Sequence, residues 1–201
     1  MSTNDRRPQL FQSYLLAEET VAGVDSDQLE LPTPCSEYNV GGLVDHIVGV
    51  GWRVVALGEG KAPTGLGDFP HVDLAEAPEQ LRSAAIEAQA GWSNDERLAA
   101  ELTMPWGESY TGSTLVDMYI AEFAAHAWDL ATATGQLLSV DGNLAAVALE
   151  GARSFLKPEY RNLITPGSPY GSEVEAPENA DDWERLAAFM GRDPRPSGSR
   201  P

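Results

Sequence analysis

Apolar residues recur at helical spacing in six stretches of the chain, separated by segments rich in proline and glycine. Leu10, Tyr14, Leu15, Val21 and Val24 predict a first helix over Pro8 to Val24, with Pro8 suited to its first turn. The connector Leu31-Pro-Thr-Pro-Cys-Ser cannot be helical, because two of its residues are prolines. Asn39 then reads as an N-cap for a second helix from Val40 to about Leu57, striped by Leu43, Ile47, Val50 and Val54. Gly58, Gly60 and Pro63 end it, and a glycine-rich loop containing Phe69 follows over 58–72. Ala77 to Trp92 forms an alanine-rich third helix with Pro78 in its first turn. Residues 101–111 read as a short extended segment leading into a turn. Ser113 or Thr114 caps a fourth helix that reaches Thr134, with Gly135 as its C-cap. A fifth helix is expected over Asp141 to Phe155 and a short last one over Ala180 to Met190. Between them, residues 158–180 lack helical period and suggest a hairpin around Gly167-Ser-Pro-Tyr-Gly171. The Pro/Gly/Ser/Arg-rich tail after Gly191 reads as frayed. The pattern as a whole predicts a mainly α protein: one helical bundle over residues 1–157, with a C-terminal extension over 158–201 packed on the same domain.

Charge narrows the partners. The chain carries 31 acidic and 13 basic residues, a formal net charge of -18, whereas binding nucleic acid or an anionic membrane surface needs a basic face. No apolar run approaches the ~20 residues that span a bilayer. The N-terminus, Met-Ser-Thr-Asn-Asp-Arg-Arg, lacks an apolar signal segment. Cys35 is the one cysteine, so neither an intrachain disulfide nor a thiolate cluster is available. These features together point to the cytoplasm.

With three histidines in the chain (His46, His71 and His126), a metal site must rest on imidazoles and carboxylates. Glu122 and His126 stand four residues apart, which stacks them on one face of the fourth helix, one turn apart. His46, beside the apolar stripe of the second helix, is the natural third ligand. Two histidines and a carboxylate form an open set that leaves a position for water or substrate. A lone Glu-x-x-x-His is a common pattern, and a histidine on an apolar stripe is often an ordinary core residue. The neighbours of Glu122 sharpen the choice: Met118, Tyr119, Phe123, Ala125 and Leu130 make an unpaired carboxylate costly, and a metal would compensate it. The fourth helix is apolar nearly all round, so its inward face is not defined by pattern.

Two segments carry a family resemblance. Thr33-Pro-Cys-Ser-Glu-Tyr-Asn-Val-Gly-Gly-Leu-Val-Asp-His46 resembles the entry to the second helix of the actinobacterial mycothiol-dependent maleylpyruvate isomerase-like family, within the DinB-like metal-binding bundles. Glu122-Phe-Ala-Ala-His-Ala-Trp-Asp-Leu-Ala-Thr-Ala-Thr-Gly135 resembles its second signature. The ending Trp183-Glu-Arg-Leu-Ala-Ala-Phe-Met-Gly-Arg-Asp-Pro194 is similar to the close of a metal-binding subgroup. The resemblance implies a DinB-like four-helix bundle holding a divalent metal on His46, Glu122 and His126, with zinc the first candidate and nickel or another ion open. It also implies a small thiol, mycothiol, as cosubstrate facing a small electrophile, in S-transfer or isomerisation. Residues 136–201 depart from the isomerase's separate C-terminal domain, so the resemblance does not carry maleylpyruvate over as substrate.

Three functional readings follow: a metal-dependent thiol transferase or isomerase, a non-catalytic module that binds or sequesters a small ligand or metal, and a bundle whose histidines and Glu122 merely satisfy one another. Oligomeric state is open. Among the other residues, Asp129 stands three after His126, suited either to orient it or to make an ordinary polar contact. Arg53 lies two turns beyond His46 and reads as a surface ion pair, or as an anchor for an anionic group. Cys35 reads as a small buried apolar residue and His71 as a solvated loop histidine. Asp45 points away from His46 to the surface. Gly49 and Gly51 leave room for a close helix approach or for the site.

Overall fold

Side-chain caps set where several helices of this protein begin. In the computed structural model, which describes residues 5–61, 69–104, 107–138, 143–161 and 170–196, Asn39 accepts the Gly42 N–H and opens the second helix. Such a cap is worth about 1 kcal/mol. Asp181 caps the last helix in the same way, and Glu184 reaches back to the Asp181 N–H to complete a capping box. The elements in chain order are α1 (Arg7–Ala22), α2 (Val40–Gly58), α3 (Ala77–Trp92), α4 (Glu96–Ala99), β1 (Glu101–Thr103), β2 (Ser109–Thr111), α5 (Gly112–Thr134), α6 (Asn143–Phe155) and α7 (Asp182–Phe189).

The protein is mainly helical. α1, α3, α2 and α5 pack in that cyclic order as a four-helix bundle, with the α2–α5 seam the least closely packed. α6 covers the outer face of α5, and α7 lies on α6 and touches α5. This explains why α5 is apolar all round: Ile120, Phe123, Ala124 and Leu130 are all buried, because its sides meet different neighbours. By length and composition α2 could cross a membrane (19 residues, mean hydropathy 1.4), but most of it is buried inside the bundle. It is a core helix, and its 19 residues correct the expectation that no apolar run approaches bilayer length.

The second, third and fourth predicted helices are found, with small differences at their ends. α5 starts two to three residues earlier than the hydroxyls of Ser113 or Thr114 suggest, because Thr111 accepts the Thr114 N–H. Gly135 ends it in the left-handed conformation, φ 73°. α1 stops at Ala22, two residues before the expected end. The extended segment before α5 is a hairpin in which Leu102 pairs with Tyr110. The start expected for the fifth helix, Asp141, lies outside the described residues, as does most of the hairpin expected around Gly167.

The tail expected to fray is anchored where it begins. Arg192 is 3% exposed, and Arg195 binds Glu184 through its Nε at 2.7 Å. Pattern reading sees only composition in such a segment. Arg192 and Arg195 have buried carboxylates to meet, Asp129 on α5 and Glu184 on α7.

Candidate metal centre

The loose α2–α5 seam holds the polar side chains. α2 contributes His46 and α5 contributes Glu122 and His126; they are 3%, 9% and 1% exposed in turn. His46 Nε2 lies 3.0 Å from Glu122 Oε1, and His126 Nε2 lies 3.6 Å from the same oxygen. The two imidazoles meet edge to face with centroids 4.8 Å apart. The three residues that spacing singled out therefore come together, and their donor atoms all fall within 4.8 Å of one another.

The donors also fit an ion. Nitrogen and oxygen ligands about 2.0–2.2 Å from one metal, at tetrahedral or octahedral angles, stand roughly 3.0–3.5 Å apart. The separations of 3.0 and 3.6 Å bracket that range. His126 Nε2 has no hydrogen-bond partner among the described residues, although it is buried. An orphaned, buried imidazole nitrogen aimed at a carboxylate shared with a second imidazole is what a ligand set presents.

Asp129, one turn beyond His126, faces inward and is fully buried. Its Oδ2 lies 3.1 Å from His126 Nδ1, a contact that suits it to orient the ring. This contact keeps a proton on Nδ1, so Nε2 is the nitrogen that faces Glu122. Asp129 is in turn gripped by Arg192, through Nε at 3.1 Å and Nη2 at 2.8 Å. The free oxygen of Glu122, Oε2, accepts a hydrogen bond from the Tyr170 hydroxyl.

Rings close the site. The Thr33 hydroxyl donates to the Tyr38 carbonyl (2.8 Å) and folds the connector back before α2. That places the Tyr38 ring 4.8 Å from the His46 ring. Phe69 meets the His46 ring at 5.5 Å. Gly49 makes this contact feasible, since a Cβ there would stand 2.0 Å from the Phe69 ring. Gly51 serves the other purpose, with Leu81 and Ala84 of α3 and Tyr14 of α1 closing on it. The Arg53 guanidinium lies 4.8 Å over the Phe69 ring and reaches the Tyr119 hydroxyl, so it belongs to the rim of the site.

Charge states follow from these contacts. Burial disfavours ionised Glu122, yet the His126 and His46 imidazoles hold its carboxyl well below the usual range. Burial likewise opposes the charge on Asp129, and Arg192 and His126 outweigh it, lowering its pKa. His46 is pushed down by burial, which its bond to Glu122 does not offset. His126 goes the other way: burial lowers it, but Asp129 and Glu122 together raise it. Burial and the Glu122 charge lift Tyr170 well above the ordinary phenol value, so it remains a donor.

Cys35, His126 and Asp129 form a second group close enough to hold an ion. It is the poorer one. Both Asp129 oxygens are engaged, and burial pushes the Cys35 thiol up to about 11. His71 belongs to neither group: it is exposed and pairs with Asp45 at 3.2 Å.

Pattern reading missed Tyr170, Arg192, Tyr38 and Phe69. One signal was available for Arg192. An aspartate on a helix apolar all round needs a cation, and an arginine directly after α7 was there to supply it.

Two curated relatives from strains of Mycobacterium tuberculosis, the uncharacterized proteins Rv0738 and MT0763, are each 34% identical to the chain over 177 residues, covering 86% of this chain and 89% of theirs. The chain belongs to their family. No family model matches it, and no solved structure matches it. The names of these relatives state no activity, so the chemistry is read from the site. Its buried histidine, glutamate, cysteine and aspartate groups can hold a metal ion.

Proposed function

We propose that this protein is a divalent-metal enzyme of thiol chemistry, an S-transferase or isomerase that presents a low-molecular-weight thiol such as mycothiol to a small electrophile. The observation that carries the metal part is the convergence of His46 Nε2, Glu122 Oε1 and His126 Nε2 in one buried seam. Three protein donors leave coordination positions for an exogenous ligand, and their nitrogen and oxygen chemistry suits zinc first, with nickel or another divalent ion as alternatives. The thiol part rests on the resemblance of the two signature segments. When bound, a divalent ion supplies Lewis acidity, which lowers the pKa of a thiol or water beside it.

The chain's own residues prepare that chemistry. Asp129 fixes the His126 tautomer. Tyr170 occupies Glu122 Oε2 and leaves Oε1 to the site. Tyr38 and Phe69 exclude water from the His46 side. Arg53 adds positive charge at the rim, suited to an anionic group on a ligand. In isomerisation by addition and elimination, the S–C bond formed is the bond later broken, so no oxidant is needed.

A second reading has its own support. The near-complete burial of the three ligands favours a non-catalytic module that holds an ion or small ligand without turnover.

Elemental analysis after reconstitution with zinc or nickel tests the site. Near-stoichiometric metal is expected in the wild type and none in His46→Ala or Glu122→Ala. Metal that survives both substitutions would sink the assignment. A thiol-consumption assay with mycothiol and varied electrophiles then separates the readings, since a loaded protein without turnover favours the sequestering module.

Affinity should also depend on pH with a definite sign. Glu122 is already ionised and His46 already neutral near neutral pH, because both are lowered. His126 is raised, so its proton is the one an ion must displace. Zinc affinity is therefore expected to rise with pH by about tenfold per unit up to the His126 pKa and then level off. Zinc titrations across roughly pH 6 to 8 check this, and a profile flat throughout counts against it.

A further inference from the structure

The C-terminal segment sends two side chains, the partly buried Tyr170 and the buried Arg192, into the α2–α5 seam, and each lands on a different residue of the metal trio or on its immediate support. Tyr170 donates to Glu122 Oε2. Arg192 clamps Asp129 through two nitrogens, and Asp129 holds His126 Nδ1 at 3.1 Å. Neither residue lies on a bundle helix. Tyr170 stands in irregular chain and Arg192 just past α7.

We infer that the C-terminal segment is part of the metal centre, with Tyr170 and Arg192 as positioning residues that set how Glu122 and His126 present their donor atoms. This rests on the reading of His46, Glu122 and His126 as metal ligands. The physical case has two parts. A carboxylate can bind an ion through one oxygen or two, and a hydroxyl bound to Oε2 favours coordination through Oε1 alone. An imidazole can turn about its χ2 and can carry its proton on either nitrogen. A buried aspartate on Nδ1 removes both freedoms, provided the aspartate itself is fixed. Arg192 fixes it with a forked, charge-assisted contact, and its Nη1 also donates to the Met190 carbonyl at 2.8 Å, so its guanidinium is held at both ends.

The segment has other anchors that do not reach the seam. Arg195 binds Glu184 of α7 through two nitrogens, at 2.7 and 3.0 Å. Arg161 donates to the Phe189 carbonyl at 2.6 Å. These provide controls, because loosening the segment alone must not reproduce the effect of removing the two positioning side chains.

The experiment measures zinc affinity by chelator competition, and the visible spectrum of the cobalt-substituted protein, for the wild type and four variants. Tyr170→Phe and Arg192→Met are each expected to weaken zinc binding about 10- to 100-fold. Tyr170→Phe should also weaken the cobalt visible bands, because a second Glu122 oxygen released to the ion raises the coordination number. Arg192→Lys should recover part of the affinity, since it keeps the charge and loses the fork. Arg195→Ala should leave both readouts at wild-type values. If Arg192→Met does not fold, Tyr170→Phe and Arg192→Lys carry the test, Arg192→Lys then being expected to bind more weakly than wild type. Wild-type affinity and spectrum in Tyr170→Phe and in the Arg192 variants overturn this inference alone. An Arg195→Ala protein weakened as much as they are overturns it too, by showing general loosening. A wild type that binds neither ion overturns the metal reading and this inference with it.

Discussion

Zinc at about 1,000 times its dissociation constant is expected to stabilise this protein by about 4 kcal/mol, and Glu122→Gln is expected to erase that gain. For a chain of 201 residues this corresponds to a rise in Tm of about 8–16 °C. In the metal-free protein Glu122 is a buried carboxylate approached by two imidazoles, one hydrogen-bonded at 3.0 Å and one held at 3.6 Å. An ion seated between them gains both nitrogens and the carboxylate charge at once, and the unfolded chain offers no such arrangement. Glutamine keeps the shape and can still accept from His46 Nε2. Tyr170 can turn its hydroxyl to accept from the amide. The metal-free variant should therefore melt near the metal-free wild type, while the neutral amide is a poor ligand. Thermal scans with and without zinc provide the check, and a full zinc-dependent shift retained in Glu122→Gln would remove this residue from the site.

The contrast between Glu122 and Arg192 shows what a sequence makes legible. The i, i+4 spacing of Glu122 and His126 is a local relation within one helix, and the helix itself is announced by a pattern and ended by Gly135. His46 was legible for a similar reason: Asn39 fixes where α2 starts and thus which residues share its stripe. The direction in which α5 faces was not legible, because α1, α2, α6 and α7 all bury parts of it and no polar face remains. Tyr170 and Arg192 belong to segments without period, so nothing local states where they go. Their positions are decided by two buried carboxylates on α5, more than 40 residues earlier in the chain. Phe69 is a similar case, seated in the space left by Gly49 from a loop whose path no pattern describes.

The Asp129–Arg192 pair should show why that distant placement is robust. Asp129 is 0% exposed and Arg192 3%, so removing one partner strands a charge in the interior. Arg192→Met is expected to destabilise the metal-free protein by about 3–5 kcal/mol. Replacing both, as Asp129→Asn with Arg192→Met, removes the two charges together and should recover most of that loss, since burying an ion pair costs desolvation that its attraction barely repays. The asparagine carbonyl can still accept from His126 Nδ1, so the tautomer survives. It does so without the negative charge that makes the imidazole a stronger donor to a metal, and without the forked clamp that fixes its angle. Stability and zinc affinity should therefore part company in the double variant: unfolding by urea returns close to wild type, while zinc binding stays weakened. A four-cornered cycle of urea midpoints for the wild type, both single variants and the double measures the first, and chelator competition the second. Additive losses of stability across the cycle would show that the two charges do not depend on each other, and recovered zinc affinity would reduce the pair to a structural contact. The expected split places the pair's worth in the geometry of His126, with its contribution to folding nearly cancelled by the cost of burying it.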